Sequence, residues 1–197
     1  MISIHTLSVA AGVLLIGGYI PYIWEVLRKK TIPNRASWFI WALSTVTLLF
    51  GVKETGTHEA IWVPIADAVG CTLIFLFALP LGVGGWSKTD RISLFISISS
   101  LALWYFTGNA LIALVANLIV YVTGYIPTIR KAWLAPTSES KIAWSFFFFG
   151  VILNLLVVVF GTDTGWAVWL YPSVLVATVG TLYAILWRKQ ATKATLV

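Results

Sequence analysis

One pattern is written twice in this chain. Residues 18–38 read GYIPYIWEVLRKKTIPNRASW, and residues 124–144 read GYIPTIRKAWLAPTSESKIAW. At a constant offset of 106 the copies match Gly18 to Gly124, Tyr19 to Tyr125, Ile20 to Ile126, Pro21 to Pro127, Ile23 to Ile129, Thr31 to Thr137 and Trp38 to Trp144. Each copy places Gly-Tyr-Ile-Pro near the end of an apolar run, followed by a basic loop and an aromatic-rich run. In a membrane chain, such a repeat predicts a pseudosymmetric bundle with a path between its halves.

The setting is apolar enough for a membrane. Of 197 residues, 59% are hydrophobic and 10% charged, whereas a soluble domain carries roughly 25% charged residues. Seven apolar runs lie at Ile4–Leu27, Ser37–Val52, Ala60–Val83, Ile92–Thr107, Ala110–Ile129, Ile142–Phe160 and Trp166–Trp187. A span needs about 20 apolar residues, so the second and fourth are short. Runs such as FFFFGVILNLLVVVF do not alternate, which excludes barrel strands. The expectation is an all-α membrane protein with seven transmembrane helices. The opening MISIHTLSVAAGVLLIGG lacks a positive n-region and a small-residue cleavage site, so it reads as the first span and not a removed signal. Cys71 is the one cysteine, which rules out an intramolecular disulfide.

Charge then orients the chain. Arg28, Lys29, Lys30 and Arg35 fill the first loop, Lys88 and Arg91 the third, Arg130, Lys131 and Lys141 the fifth, and Arg188, Lys189 and Lys193 the tail. Of 13 Lys and Arg residues, only Lys53 falls on the other side. The positive-inside rule puts the odd loops and C-terminus in the cytoplasm and the N-terminus outside. Orientation in a lipid bilayer explains the net charge of +6, and without a basic stripe nucleic acid is not an expected partner.

The repeat divides the seven helices into two triplets and a linker: residues 1–83, helix 4 over 84–109, and residues 110–197. Both triplets enter the membrane in the same direction, so they form parallel three-helix repeats. Phe50-Gly51 also pairs with Phe160-Gly161, and Trp62-Val63-Pro64 with Leu170-Tyr171-Pro172.

Three-helix repeats around a linker helix, each with a proline near the end of its first helix, resemble the SWEET/PQ-loop superfamily over nearly the whole chain. Pro172-Ser173 followed by Gly180-Thr181-Leu182-Tyr183 is similar to the Pro-Asn and Gly-Thr-Leu runs of plant SWEET helix 7. The run from Lys30 to Trp41 looks like that of uncharacterised bacterial members, which implies a bacterial inner membrane. In the sugar carriers of this family, asparagines in helices 3 and 7 and nearby tryptophans form the pocket. Those positions here hold Asp67 (by the Asn-x-x-Gly pattern; Ile65 by the internal repeat), Ser173 and Val157. Pro21 and Pro127 are followed by Tyr22 and Thr128, so the PQ dipeptide itself is absent.

Several residues are candidates for function. Asp67 lies inside helix 3 with no charged neighbour in sequence. A charge at that depth costs about 2.5–3.5 kcal/mol on insertion scales, so the residue reads as a solute or proton site or as a hydrogen-bonded packing acid. Asn117 and Asn154 either bind solute or tie helices together. Ser173 is a weaker candidate, as is Thr178, because such hydroxyls bond their own helix backbone. Trp62 is a candidate pocket wall next to Asp67. Pro21 and Pro127 each remove a helix hydrogen bond and are candidate gate hinges or static kinks, with Gly18 and Gly124 one turn earlier allowing close approach. Glu25 pairs with Arg28 or Lys29 at a helix end, or forms a gate bridge to Lys131 or Arg130. The other tryptophans, including Trp24, Trp38, Trp41, Trp86, Trp104, Trp133, Trp144, Trp166, Trp169 and Trp187, read as interface anchors.

His5 and His58 lack partners at metal-ligand spacing. No nucleophile elbow, Walker loop or dinucleotide fingerprint occurs, so neither enzyme activity nor a cofactor or metal is expected. The expected function is a small-solute carrier working by alternating access, passive or proton-coupled through Asp67, for a sugar or other small polar metabolite. The alternative is a non-transporting receptor or binding module on the same fold. Two triplets suffice to enclose one pathway, and assembly into a homo-oligomer stays open.

Overall fold

The computed structural model describes residues 3–54, 62–84, 87–108, 110–161 and 167–188. His58, Trp86 and Trp166, Lys189 and Lys193, and the side chains of Lys53 and Trp104 lie outside the described residues. Seven α-helices form among the described residues: α1 (Ile4–Leu27), α2 (Arg35–Glu54), α3 (Trp62–Leu81), α4 (Lys88–Thr107), α5 (Ala110–Leu134), α6 (Lys141–Gly161) and α7 (Ala167–Trp187). A 3-10 turn, Pro136–Ser138, joins α5 to α6. Four segments are long and apolar enough to cross a membrane: α1, α3, α6 and Trp169–Trp187 of α7.

Helix starts follow the caps more closely than the apolar runs. Asn34 Oδ1 accepts the Ser37 amide at 3.0 Å, which lets α2 begin at Arg35. Ser87 and Asp90 form a reciprocal capping box, with Ser87 N to Asp90 Oδ2 at 3.0 Å and Asp90 N to Ser87 Oγ at 3.2 Å. It starts α4 at Lys88, four residues before the apolar run at Ile92. At the other end of α1, Lys30 N reaches Glu25 O at 2.9 Å and Lys29 N reaches Val26 O at 2.9 Å. This is a Schellman closure, with Lys29 in the left-handed position (φ 56°) where glycine is usual. Neither Pro21 nor Pro127 ends its helix; α1 and α5 run on to Leu27 and Leu134.

The helices pair in a pattern with internal symmetry. α1 packs on α3 and α6, α2 on α3 and α5, α5 on α7, and α6 on α7. Exchanging α1, α2 and α3 for α5, α6 and α7 turns each of these pairings into another member of the set. α4 stands apart, against α5 and α2.

The basic loops meet at one end of the bundle. Arg35 N donates to Val83 O at 3.0 Å, and Val83 N to Pro33 O at 2.9 Å, tying the α1–α2 loop to the end of α3. The Arg35 guanidinium also reaches the carbonyls of Ala78 and Leu79, at 3.1 and 3.0 Å. A cation there meets the negative end of the α3 dipole. Ile32 N donates to Ser138 O at 3.2 Å, joining the same loop to the 3-10 turn. Arg188, just past α7, donates to Trp133 O and stacks on the Trp133 ring at 3.9 Å. The segments carrying Arg35, Lys131 and Arg188 therefore share one face of the fold.

Candidate functional site

The doubled pattern builds the centre of the bundle. The Tyr19 ring of α1 packs on Phe147 of α6 at 4.7 Å and 52°, and Tyr125 of α5 packs on Trp41 of α2 at 4.6 Å and 52°. Phe147 and Trp41 are themselves 106 residues apart. The preceding glycines make room for these rings. A Cβ on Gly18 would lie 2.5 Å from the Phe147 ring, and one on Gly124 would lie 2.7 Å from Trp41 Nε1. Close approach at Gly18 and Gly124 is thus between a first helix and an aromatic ring of the helix it crosses. Pro21 and Pro127 follow one turn later, both half-buried.

These rings surround a cavity of about 20 Å³, room for about one water. Its lining includes Trp38 and Trp41 of α2, Tyr121 and Tyr125 of α5, and Trp144 and Phe147 of α6. Asp67 and Cys71 enter from α3, and Tyr19 from α1. Asp67 points inward because it shares the buried stripe Val63, Ala66, Asp67, Gly70, Cys71, Ile74, Ala78, whose three- and four-residue spacing is one helix face. The residue is 4% exposed. Oδ1 accepts the Tyr19 hydroxyl at 2.8 Å, and Oδ2 accepts that of Tyr171, on α7, at 3.4 Å. Gly70 is required here, since a Cβ would fall 2.2 Å from the Tyr19 ring. Among the described residues of the lining, Asp67 is the only acidic one, and no Lys, Arg or His joins it.

Below the cavity, towards the basic loops, a second buried group closes the bundle. Glu139, 3% exposed, accepts at Oε2 from Tyr22 Oη (3.1 Å) and Trp144 Nε1 (2.9 Å). Trp38 Nε1 donates to Tyr22 Oη at 3.2 Å. Among the described residues, Glu139 Oε1 has no other polar partner and meets Lys131 Nζ at 2.5 Å. Lys131 also donates to Ile32 O in the α1–α2 loop. One carboxylate therefore holds α1, α5, α6 and the loop before α6, and α2 joins through Tyr22. Trp38 and Trp144, which floor the cavity, are fastened by their indole N–H groups to this network.

The other candidates lie away from the cavity lining. Asn117 is taken up at both ends by Ser44: its Oδ1 accepts the Ser44 hydroxyl and its Nδ2 donates to Ser44 O at 3.1 Å, a tie between α5 and α2. Asn154 is buried in α6 but outside the lining, one turn past Val151, which is in it. Ser173 is exposed on α7, off the buried stripe Pro172, Leu175, Val179, Leu182, Leu186, so it does not face the cavity. Thr178 bonds its own helix at Val174 O, 2.8 Å away. Trp62 is 44% exposed and lays its backbone against Gly12 of α1, so it forms no cavity wall. Of the two readings of Glu25, the alternative gate bridge to Lys131 does not form: Glu25 accepts from Thr31 Oγ1 at 2.7 Å, and Lys131 turns to Glu139. Arg28 lies over Trp24 at 4.2 Å.

The interface-anchor reading fails for three tryptophans. Trp38, Trp41 and Trp144 are each 2% exposed, because each indole N–H finds an acceptor inside the bundle. Trp24, Trp133 and Trp187 are exposed, as anchors would be. Sequence reasoning missed Glu139 and the tyrosines around Asp67. The available signal was the repeat itself, since Tyr19, Tyr125, Trp38 and Trp144 are all matched positions. No group of three His, Cys, Asp or Glu residues able to hold a metal occurs among the described residues. No protein-family model, curated protein or solved structure matches the chain.

Proposed function

We propose that this chain is a small-solute membrane carrier working by alternating access, with Asp67 at its solute or proton site. The observation that supports this most is the placement of Asp67. It is a buried acid with no cationic partner among the described residues, held by phenols in a cavity where helices from the two repeats cross. An acid in such a place is costly, which favours a role in moving charge over one in packing.

In this reading all seven helices span the bilayer as two parallel triplets around α4, with the basic face in the cytoplasm of a bacterial inner membrane. The exchange symmetry of the helix pairing supports the two-triplet architecture. The resemblance to the SWEET/PQ-loop superfamily rests on that arrangement and on the residues quoted for it. Pro21 and Pro127 act as paired hinges below the cavity. The Glu139 network, on the loop side of the cavity, is the inner gate.

The test begins with a thermal-shift screen of polar metabolites across pH, followed by uptake of any hit into proteoliposomes. Asp67→Asn is expected to abolish uptake or remove its pH dependence while expression stays normal. Uptake that keeps wild-type rate and pH dependence in this variant refutes the role of Asp67. Pro21→Ala is expected to slow exchange between inward and outward states.

A further inference from the structure

We infer that the cavity selects a small organic monocation, such as a quaternary ammonium, and exchanges it one for one against a proton on Asp67. This rests on the carrier reading and names its cargo. The polar groups of the cavity are already spent on one another. The Tyr19 hydroxyl, and that of Tyr171 from outside the lining, go to Asp67, and the Tyr121 and Tyr125 hydroxyls lie 3.3 Å apart and pair together. The three indole N–H groups go to Tyr22, to the Tyr121 carbonyl and to Glu139. Little is left for the many hydroxyls of a sugar. What remains is a wall of aromatic rings and one carboxylate.

That pair of features recognises an alkylated ammonium. The rings attract a cation through their quadrupoles, contact its methyl groups, and gain most where water is excluded. The carboxylate supplies the counter-charge, and an anion would be repelled. The titratable groups facing Asp67 are Tyr19 from α1, Cys71 on α3 itself, Tyr121 and Tyr125 from α5, and Tyr171 from α7. From α2 and α6 come Trp41, Trp144 and Phe147, which do not titrate. A single carboxylate holds either a proton or a cation. When the O–H bond breaks, the proton leaves to water on one side and the cation takes its place. When the cation leaves on the other side, a proton returns. Each cycle moves one charge each way, so the exchange is electroneutral. The cavity as it stands has room for about one water, so cargo is admitted only when the rings part.

Tetramethylammonium is the probe, because its charge is permanent. In detergent, it is expected to quench the intrinsic tryptophan fluorescence saturably, since Trp38, Trp41 and Trp144 line the cavity. Neutral tert-butanol and sodium chloride should not. Binding should weaken by about tenfold or more in Asp67→Asn and persist in Asp67→Glu, with melting transitions checked for both. In proteoliposomes with an acidic, dye-loaded interior, external tetramethylammonium should drive proton efflux that is insensitive to an imposed potassium diffusion potential. The absence of saturable quenching in folded wild-type protein overturns the cation assignment. If a neutral solute is nonetheless taken up in an Asp67-dependent way, the carrier reading survives alone. Asp67-dependent quenching without proton efflux keeps the cation site but overturns the exchange, and the carrier reading falls with it only if radiolabelled tetramethylammonium also fails to enter the vesicles. Efflux that follows the potential overturns the one-for-one stoichiometry.

Discussion

Replacing Glu139 by glutamine should loosen the loop end of the bundle, and the size of the effect follows from its contacts. The carboxylate accepts from Tyr22 and Trp144 and pairs with Lys131. Glutamine keeps the volume and one acceptor. If its carbonyl stays with Tyr22 and Trp144, its amide N–H₂ faces the Lys131 ammonium, donor against donor. Two charge-assisted hydrogen bonds become neutral ones, roughly half as strong, a loss of about 1 kcal/mol in all. The ion pair is also lost, and breaking a buried pair costs about 3–5 kcal/mol. The Lys131 side chain keeps 17% of its surface exposed and can turn to water, which brings the total to about 3 kcal/mol. That is a factor of about 100 in the balance between a closed and an open loop end of the bundle. The chain supplies its own reporter, because its single cysteine, Cys71, lines the cavity and is 4% exposed. In detergent, a maleimide should label Cys71 about 100-fold faster in Glu139→Gln, provided opening precedes labelling. Cys71→Ser should give no label. An unchanged labelling rate, with only a lower melting temperature, would show that the network braces the fold without gating the cavity.

Three further outcomes test the packing. Gly70→Ala should lower stability by about 1–3 kcal/mol, because the new methyl overlaps the Tyr19 ring; a wild-type thermal transition in detergent refutes that geometry. Asn117→Ala should cost about 1 kcal/mol through its two lost bonds to Ser44 and leave tetramethylammonium binding unchanged; altered binding would return Asn117 to the site. Lys29→Gly should raise stability by about 1 kcal/mol, since Lys29 holds φ 56° in the closure of α1; a fall in melting temperature would mean that its side chain matters more than its backbone.

Much of the architecture was legible because it depends on local quantities. Apolar runs mark where the seven helices lie, and α2 and α4 begin ahead of their runs because Asn34 and the Ser87–Asp90 pair supply caps. Alternating charge anticipated that the segments holding Arg35, Lys131 and Arg188 meet on one face. The candidate site was read less well. Asp67 was singled out as an isolated acid in an apolar run, but its partners Tyr19 and Tyr171 are 48 and 104 residues away. Ser173 was named by analogy of position, and its exposure follows from a helical phase that only packing against α5 and α6 defines.

The sequence by itself determined the helices, their alternating charge and the twofold pattern, since hydropathy, capping and self-similarity are properties of contiguous residues. Tertiary structure alone decided which of the matched residues meet. Trp38 and Trp144 became the floor of a cavity because Tyr22 and Glu139 satisfy their N–H groups away from water. Lys131 chose Glu139 over Glu25 because the loop before α6 folds back beneath the bundle. Burial of a polar group depends on a partner that arrives from another part of the chain, and no local pattern states which partner that will be.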